Sequence, residues 1–174
     1  MNYLLIALMF FFATPQDAYI LVGQSNGARG VAAASFTAET GYPVINCAKN
    51  GMGVRWILGN IPYSQCVRMA KGYNIIGILS ISGEVETKNG DDWLALSRLL
   101  KAKFEKTYGK PLPFYHVRIH KDFPIQKYTE AVRFAQWNSG WCVVNTDDLT
   151  RDSNWHYDPP SAVIIGQRLA GCIR

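Results

Sequence analysis

Four apolar residues of strand-forming type, Tyr19-Ile20-Leu21-Val22, run straight into Gly23, and the side chains that follow, Gln24, Ser25 and Asn26, are short and polar before Gly27. An apolar run ending this way reads as a buried strand that gives out into a tight turn, with a hydroxyl held at its mouth. A serine so placed can act as a nucleophile. If it does, the rest of the chemistry has to come from the ends of other strands.

The remaining chain supplies those strands. Residues 44–48 form a second short run, ended by Lys49-Asn50-Gly51-Met52-Gly53, and residues 74–81 form a continuous apolar run of the kind buried on both faces of a parallel sheet. Residues 114–120 and 141–145 complete a set of five. Between them lie helical stretches: 28–40, a mixed segment at 54–70 interrupted by Pro62, a helix from the Asn89-Gly90-Asp91-Asp92 cap through about residue 106, another at 126–137, and a last one at 161–173 capped by Asp158 or Ser161. Strands alternating with helices over short loops predict a doubly wound three-layer α/β/α sandwich with a five-stranded parallel sheet, flavodoxin-like in plan. In such a sheet ligands meet the carboxyl ends of the strands.

Composition narrows the class. With 174 residues, 48% hydrophobic and 18% charged, the chain is one globular domain. Residues 3–13 are almost wholly apolar and are broken by Thr14-Pro15-Gln16-Asp17-Ala18, too short a run to span a bilayer as a helix but suited to a signal peptide over 1–18, with the domain proper at 19–174. That predicts a secreted or periplasmic protein with no stable membrane insertion after processing. The n-region carries no Lys or Arg, and cleavage after Ala18 would place Gln16 at −3. Cys47, Cys66, Cys142 and Cys172 are an even set compatible with two disulfides, in any of three pairings, or with buried thiols. Their spacing forms no metal knuckle. A net charge of +5 is spread along the chain without the clustered basic and aromatic pattern of a nucleic-acid binder.

The strand ends gather the groups that acyl transfer needs: a hydroxyl at Ser25, glycines at 51 and 53, Ser82-Gly83-Glu84, and a long loop holding Asp152 and His156. The Gly23-Gln24-Ser25-Asn26 run resembles the first block of the SGNH (GDSL-like) hydrolases, in the carbohydrate O-acetylesterase branch that includes sialate O-acetylesterase-like and acetylxylan esterase-like enzymes. Residues 46–51 resemble the second block, Ser82-Gly83-Glu84-Val85-Glu86 resembles the branch's Gln-Gly-Glu-x-Asp run, and Asp147-Asp148-Leu149, His156-Tyr157-Asp158 and residues 166–170 resemble its closing segment. The resemblance implies a serine esterase that removes O-acetyl groups from a carbohydrate without cofactor or metal. It assigns Ser25 as nucleophile, His156 as base, Asp152 as the acid orienting it, the Ser25 and Gly51 amides with the Ser82 hydroxyl as the oxyanion hole, and Glu84 as a supporting residue.

Two departures from the pattern bear on this. Serine stands at 82 where the branch has glutamine, and Asp152 lies four positions before His156 where the pattern has three. Asp148, or a bare Ser-His pair, is therefore an alternative to Asp152, and Asn50 is an alternative oxyanion donor. The same departures motivate a rival reading, a catalytically weak carbohydrate-binding protein on the same fold; a small lipid or aryl esterase is a third. His116 and His120 share a strand face by spacing, but no third metal ligand accompanies them. Trp155, beside the base, is a candidate wall for a sugar.

Overall fold

The computed structural model describes residues 14–123, 127–153 and 155–174. In chain order it runs β1 (Gln16–Gly23), α1 (Ser25–Ala28), α2 (Val31–Thr40), β2 (Val44–Asn46), α3 (Val54–Leu58), α4 (Asn60–Met69), β3 (Tyr73–Ile81), α5 (Glu84–Asn89), α6 (Trp93–Tyr108), β4 (Phe114–Val117), α7 (Thr129–Trp137), β5 (Cys142–Val144) and α8 (Pro159–Gly171). The five strands are parallel in the order β2-β1-β3-β4-β5, which is the flavodoxin-like arrangement. Among the described residues no helix is long and apolar enough to cross a membrane.

Alternate side chains of the central strands feed two cores. Ala18, Ile20, Val22 and Ile78 pack under α3, α4, α6 and α7 with Ile57, Trp93, Leu100, Phe104 and Val132. Tyr19, Leu21, Leu79 and Ile81 pack on the other face under α2 and α8 with Phe36, Ile165 and Leu169. Both faces of β1 and β3 are therefore dry, which explains their unbroken apolar sequences. Helices leave β1 toward one face and β3 toward the other, so the crevice at their carboxyl ends is the topological switch point of the sheet.

The boundaries differ from the sequence reading where local hydrogen bonding decides. Gly30, in a left-handed conformation at φ 79°, separates the one-turn α1 from α2, so the stretch expected to be helical at 28–40 is regular only from Val31. The fourth strand ends at Val117, three residues early, because the Ile119 amide donates to the Gln136 side chain at 3.0 Å. Residues 84–89 form a helix with Glu84 and Glu86 in its first turn. Asp92 caps α6 by accepting from the Ala95 amide at 2.9 Å, and Asp158 caps α8 by accepting from that of Ser161 at 2.8 Å. The expected leader boundary after Ala18 falls within β1, where Gln16, Asp17 and Ala18 pair with Tyr73, Asn74 and Ile75; residues 1–13 lie outside the described residues.

Of the three cysteine pairings the structure takes Cys47–Cys66, joining the segment after β2 to α4, and Cys142–Cys172, joining β5 to the end of α8. In the chain-entropy picture loops of these lengths each stabilise the fold by roughly 3–4 kcal/mol.

His116 on β4 is fully buried. Its Nε2 lies 3.0 Å from the Gln136 carbonyl oxygen and 3.2 Å from the Ser139 hydroxyl, and its ring packs on Trp93 at 4.8 Å between centroids. Burial pushes this imidazole down to about 4 from 6.5. Between those values the unfolded chain binds a proton that the folded protein refuses, so stability falls as pH drops through the window, by roughly 3 kcal/mol at most. His116→Gln lacks this slope. In urea unfolding at pH 7 and pH 4.5, the stability gap between the wild-type protein and this variant is expected to narrow by about 2 kcal/mol at the lower pH. An unchanged gap would mean that His116 does not resist protonation.

Candidate active site

The turn after β1 is shaped by backbone contact. A Cβ on Gly23 would collide with the carbonyl of Ile81 on β3, and the Gln24 amide donates to that same carbonyl at 2.9 Å. Only glycine lets the strands close this tightly. Gln24 then turns inward, 3% exposed, and its amide nitrogen donates to Glu86 Oε2 at 3.1 Å. Ser25, next in line, is left half-buried at the crevice.

Three further segments are tied to this turn. Glu86 is completely buried, and its other oxygen accepts from the Val54 amide at 2.6 Å, fixing the end of the loop that carries Gly51. A side chain at Gly53 would overlap the Glu86 carboxylate. At the start of that loop Asn46 donates to the Gly27 carbonyl at 2.9 Å and accepts from the Ala48 amide at 3.0 Å. Gly51 sits at the exposed tip with φ 68°. Asn26 clamps the His156 segment. Its side-chain nitrogen donates to the Trp155 carbonyl at 3.1 Å and to Glu84 Oε1 at 3.0 Å, and its oxygen accepts from the Tyr157 amide at 3.1 Å. The backbone is thus held on both sides of His156.

A cavity of about 550 Å³ opens at this point, lined by Ser25, Asn50, Gly51, Glu84, Trp155 and His156, with the cations Arg29 and Lys88 at its sides. Burial pushes the Glu84 carboxyl up to about 7, the neighbouring Glu86 adding to the rise and the Asn26 amide opposing it. Burial and the nearby Arg29 draw the His156 imidazole below its ordinary value, against the pull of Asp152. Trp155 presents an exposed ring braced edge-on by Phe123 at 5.0 Å. A larger hollow, about 870 Å³, lies between Gln16, Tyr42, Tyr73 and Asn74 and has neither serine nor histidine in its walls.

Of the residues singled out from sequence, Ser25, Gly51, Glu84 and His156 share the one cavity. Ser82 does not line it. Its hydroxyl is buried beneath the turn, accepting from Trp93 Nε1 at 3.0 Å and sharing a hydrogen bond with Ser80 at 2.8 Å, so the expected oxyanion donor faces the core. Asp152 also lies outside the walls, and its carboxylate pairs with Arg29 at 2.9 Å. The atom facing His156 Nδ1 is instead the Ser153 hydroxyl oxygen, at 3.2 Å. Asp148, the reserve, accepts from the two terminal guanidinium nitrogens of Arg168 at 2.8 and 2.5 Å. His116 and His120 do not converge, since the latter faces the Leu149 carbonyl and the Asp122 amide. Among the described residues no group of three acids, histidines or cysteines could hold a metal. Asn26, Glu86, Arg29 and Ser153 were not assigned site roles from sequence; only their places beside expected site residues pointed to them.

The family model for carbohydrate esterases described as sialic acid-specific acetylesterases matches residues 28–173. A comparison with curated proteins returns no match. Among solved structures, a protein from Arabidopsis thaliana is similar at a TM-score of 0.75 with 18% identity, covering 90% of this chain and 97% of its own. A protein from Slackia heliotrinireducens, provisionally assigned as an SGNH hydrolase, is similar at 0.70 with 10% identity, over 92% and 100%. A psychrotrophic esterase from Pseudoalteromonas sp., solved with monoethylphosphonate as inhibitor, is similar at 0.55 with 14% identity, over 90% and 97%. At these identities the structural likenesses speak to the shared fold.

Glu86→Ala would leave the Gln24 side chain and the Val54 amide buried without an acceptor. It is expected to lower unfolding stability by roughly 3 kcal/mol in urea titrations. Glu86→Gln, which keeps a carbonyl oxygen for Val54, should lose less. A loss below about 1 kcal/mol for Glu86→Ala would deny the carboxylate its organising role.

Proposed function

The chain belongs to the carbohydrate esterase family of sialic acid-specific acetylesterases and is a carboxylic ester hydrolase, and we propose that it removes O-acetyl groups from a carbohydrate through an acyl-serine intermediate on Ser25. The observation that carries this reading is that Ser25, Gly51 and His156, from three distant stretches of chain, wall one cavity at the switch point of the sheet.

The Ser25 hydroxyl attacks the acetyl carbonyl while His156 takes its proton through Nε2, since Nδ1 faces Ser153. The tetrahedral oxyanion is met by the backbone amides of Ser25 and Gly51. His156 then returns the proton to the departing sugar oxygen, and water repeats the sequence on the acyl-enzyme. With Ser82 turned to the core, the third donor is assigned to Asn50, whose place in the cavity wall supports it. One such donor is worth on the order of 100- to 1,000-fold in rate. Asp152 contributes its charge from the outer side of the loop, and Glu84 braces Asn26. Arg29 and Lys88 beside the cavity favour a sugar that itself carries a carboxylate. The apolar N-terminal segment is taken as the export signal; two disulfides support an oxidising destination.

Two measurements test this reading. Ser25→Ala should reduce hydrolysis of 4-nitrophenyl acetate, and acetate release from O-acetylated sialic acid, by at least about 1,000-fold; turnover like that of the wild-type protein would overturn the assignment. The base works only when neutral, so activity should rise with pH through an acid limb centred below 6.5. Arg29→Gln removes the cation that lowers His156 and should move that limb to higher pH. A limb that stays in place would mean that Arg29 does not set the base.

A further inference from the structure

The extra residue between acid and histidine has a specific consequence for the atoms around the base. Because Asp152 stands four positions before His156, the side chain three positions before it is that of Ser153. Its hydroxyl oxygen lies 3.2 Å from His156 Nδ1. The same oxygen accepts from the backbone amides of His156 at 3.1 Å and Trp155 at 3.3 Å. Two of the nitrogens around this oxygen are backbone N–H donors, and the third, Nδ1, donates to it when it carries the ring hydrogen. The Asp152 carboxylate, one position earlier in the chain, is paired with Arg29 at 2.9 Å, and Arg29 above all, with Ser153 adding to it, holds that carboxyl below its ordinary range.

We propose that Ser153 is the positioning residue of the catalytic histidine: its hydroxyl accepts from Nδ1–H of His156 and donates to Asp152, so the acid acts on the base at one remove. The inference rests on the Ser25–His156 reading above. In this arrangement Nδ1 keeps its hydrogen and Nε2 presents the free pair toward Ser25. When the base takes the serine proton, the new positive charge meets the negative end of a hydroxyl dipole that Asp152 has already aligned. No proton passes to Ser153 or Asp152. Each remains in its starting state, and the hydroxyl costs no reorganisation during the step. Two backbone amides fix the Ser153 rotamer, and the Asn26 clamp fixes the backbone on either side of the imidazole. The charged or titratable groups around His156 are Asp152, Arg29, Lys88 and Glu84.

The test compares Ser25→Ala, Ser153→Ala, Ser153→Asp, Asp152→Asn and the Ser153→Asp/Asp152→Asn double variant on 4-nitrophenyl acetate, with circular dichroism confirming that each is folded. Ser153→Ala should lower kcat by roughly 100-fold with KM within about twofold. Ser153→Asp puts a carboxylate directly at Nδ1. It should keep most of the wild-type kcat and move the acid limb upward by about one pH unit, since an adjacent negative charge favours the imidazolium. Asp152→Asn should cost about tenfold in the wild-type background but less than twofold beside Asp at position 153, because the relay it serves is then bypassed. If Ser25→Ala is inactive while Ser153→Ala keeps wild-type kcat, the positioning role is wrong and the nucleophile stands. An active Ser25→Ala overturns the underlying reading instead. Should Ser153→Ala not fold, a folded Ser153→Asp with an unmoved acid limb overturns the proposal by itself.

Discussion

The site depends on a carboxylate that never reaches solvent. Glu86 sits under the turn that bears Ser25, receives one hydrogen bond from the Gln24 side chain and another from the Val54 amide, and thereby holds that turn and the Gly51 loop at a fixed separation. Burying an anion is costly unless every oxygen is satisfied, and burial raises its pKa accordingly. The local sequence answers that cost. Gly53 leaves room for the carboxylate, and the Gln24 side-chain nitrogen is directed inward to meet it. Asn26 does for the histidine loop what Glu86 does for the glycine loop.

The rigid parts lie beneath and the chemistry lies in the connections. β1 and β3 are sealed on both faces, and each sends a short helix, α1 or α5, across the crevice at its end. The residues of interest are the first ones off those strands, where a few hydrogen bonds, not packing, decide direction. Arg118, Arg133 and Asp147 form a comparable brace behind the site, joining the ends of β4 and β5 to α7. Such an arrangement lets loop chemistry vary while the sheet stays the same.

This division explains what the sequence disclosed. The apolar runs at 19–22 and 74–81 made the sheet legible, because a strand buried on both faces has no other composition. The glycine and polar residues after these two runs pointed to Ser25 and Glu84, and those after the runs at 44–48 and 141–145 pointed to Gly51 and His156. Direction was another matter. Ser82 follows β3 as an oxyanion donor should, yet it turns down to Trp93, since a hydroxyl that short finds a buried indole N–H before it reaches the cavity. The resemblance to an Asp-x-x-His block points to Asp152 if the one extra residue bulges out, while the side chain facing the imidazole is that of Ser153, a distinction that a loop of unknown shape conceals. The α5 helix was missed because six residues hold too little periodicity to register.

The disulfides divide the site in a way the sheet does not. One closes the span from Cys47 to Cys66, which contains Gly51; the other closes the span from Cys142 to Cys172, which contains His156; Ser25 belongs to neither. A newly made chain whose thiols have yet to join therefore lacks a covalent tie across either span, while the Ser25 turn depends on neither. Oxidation closes each span separately, so the two flanks of the cavity are tied independently of one another.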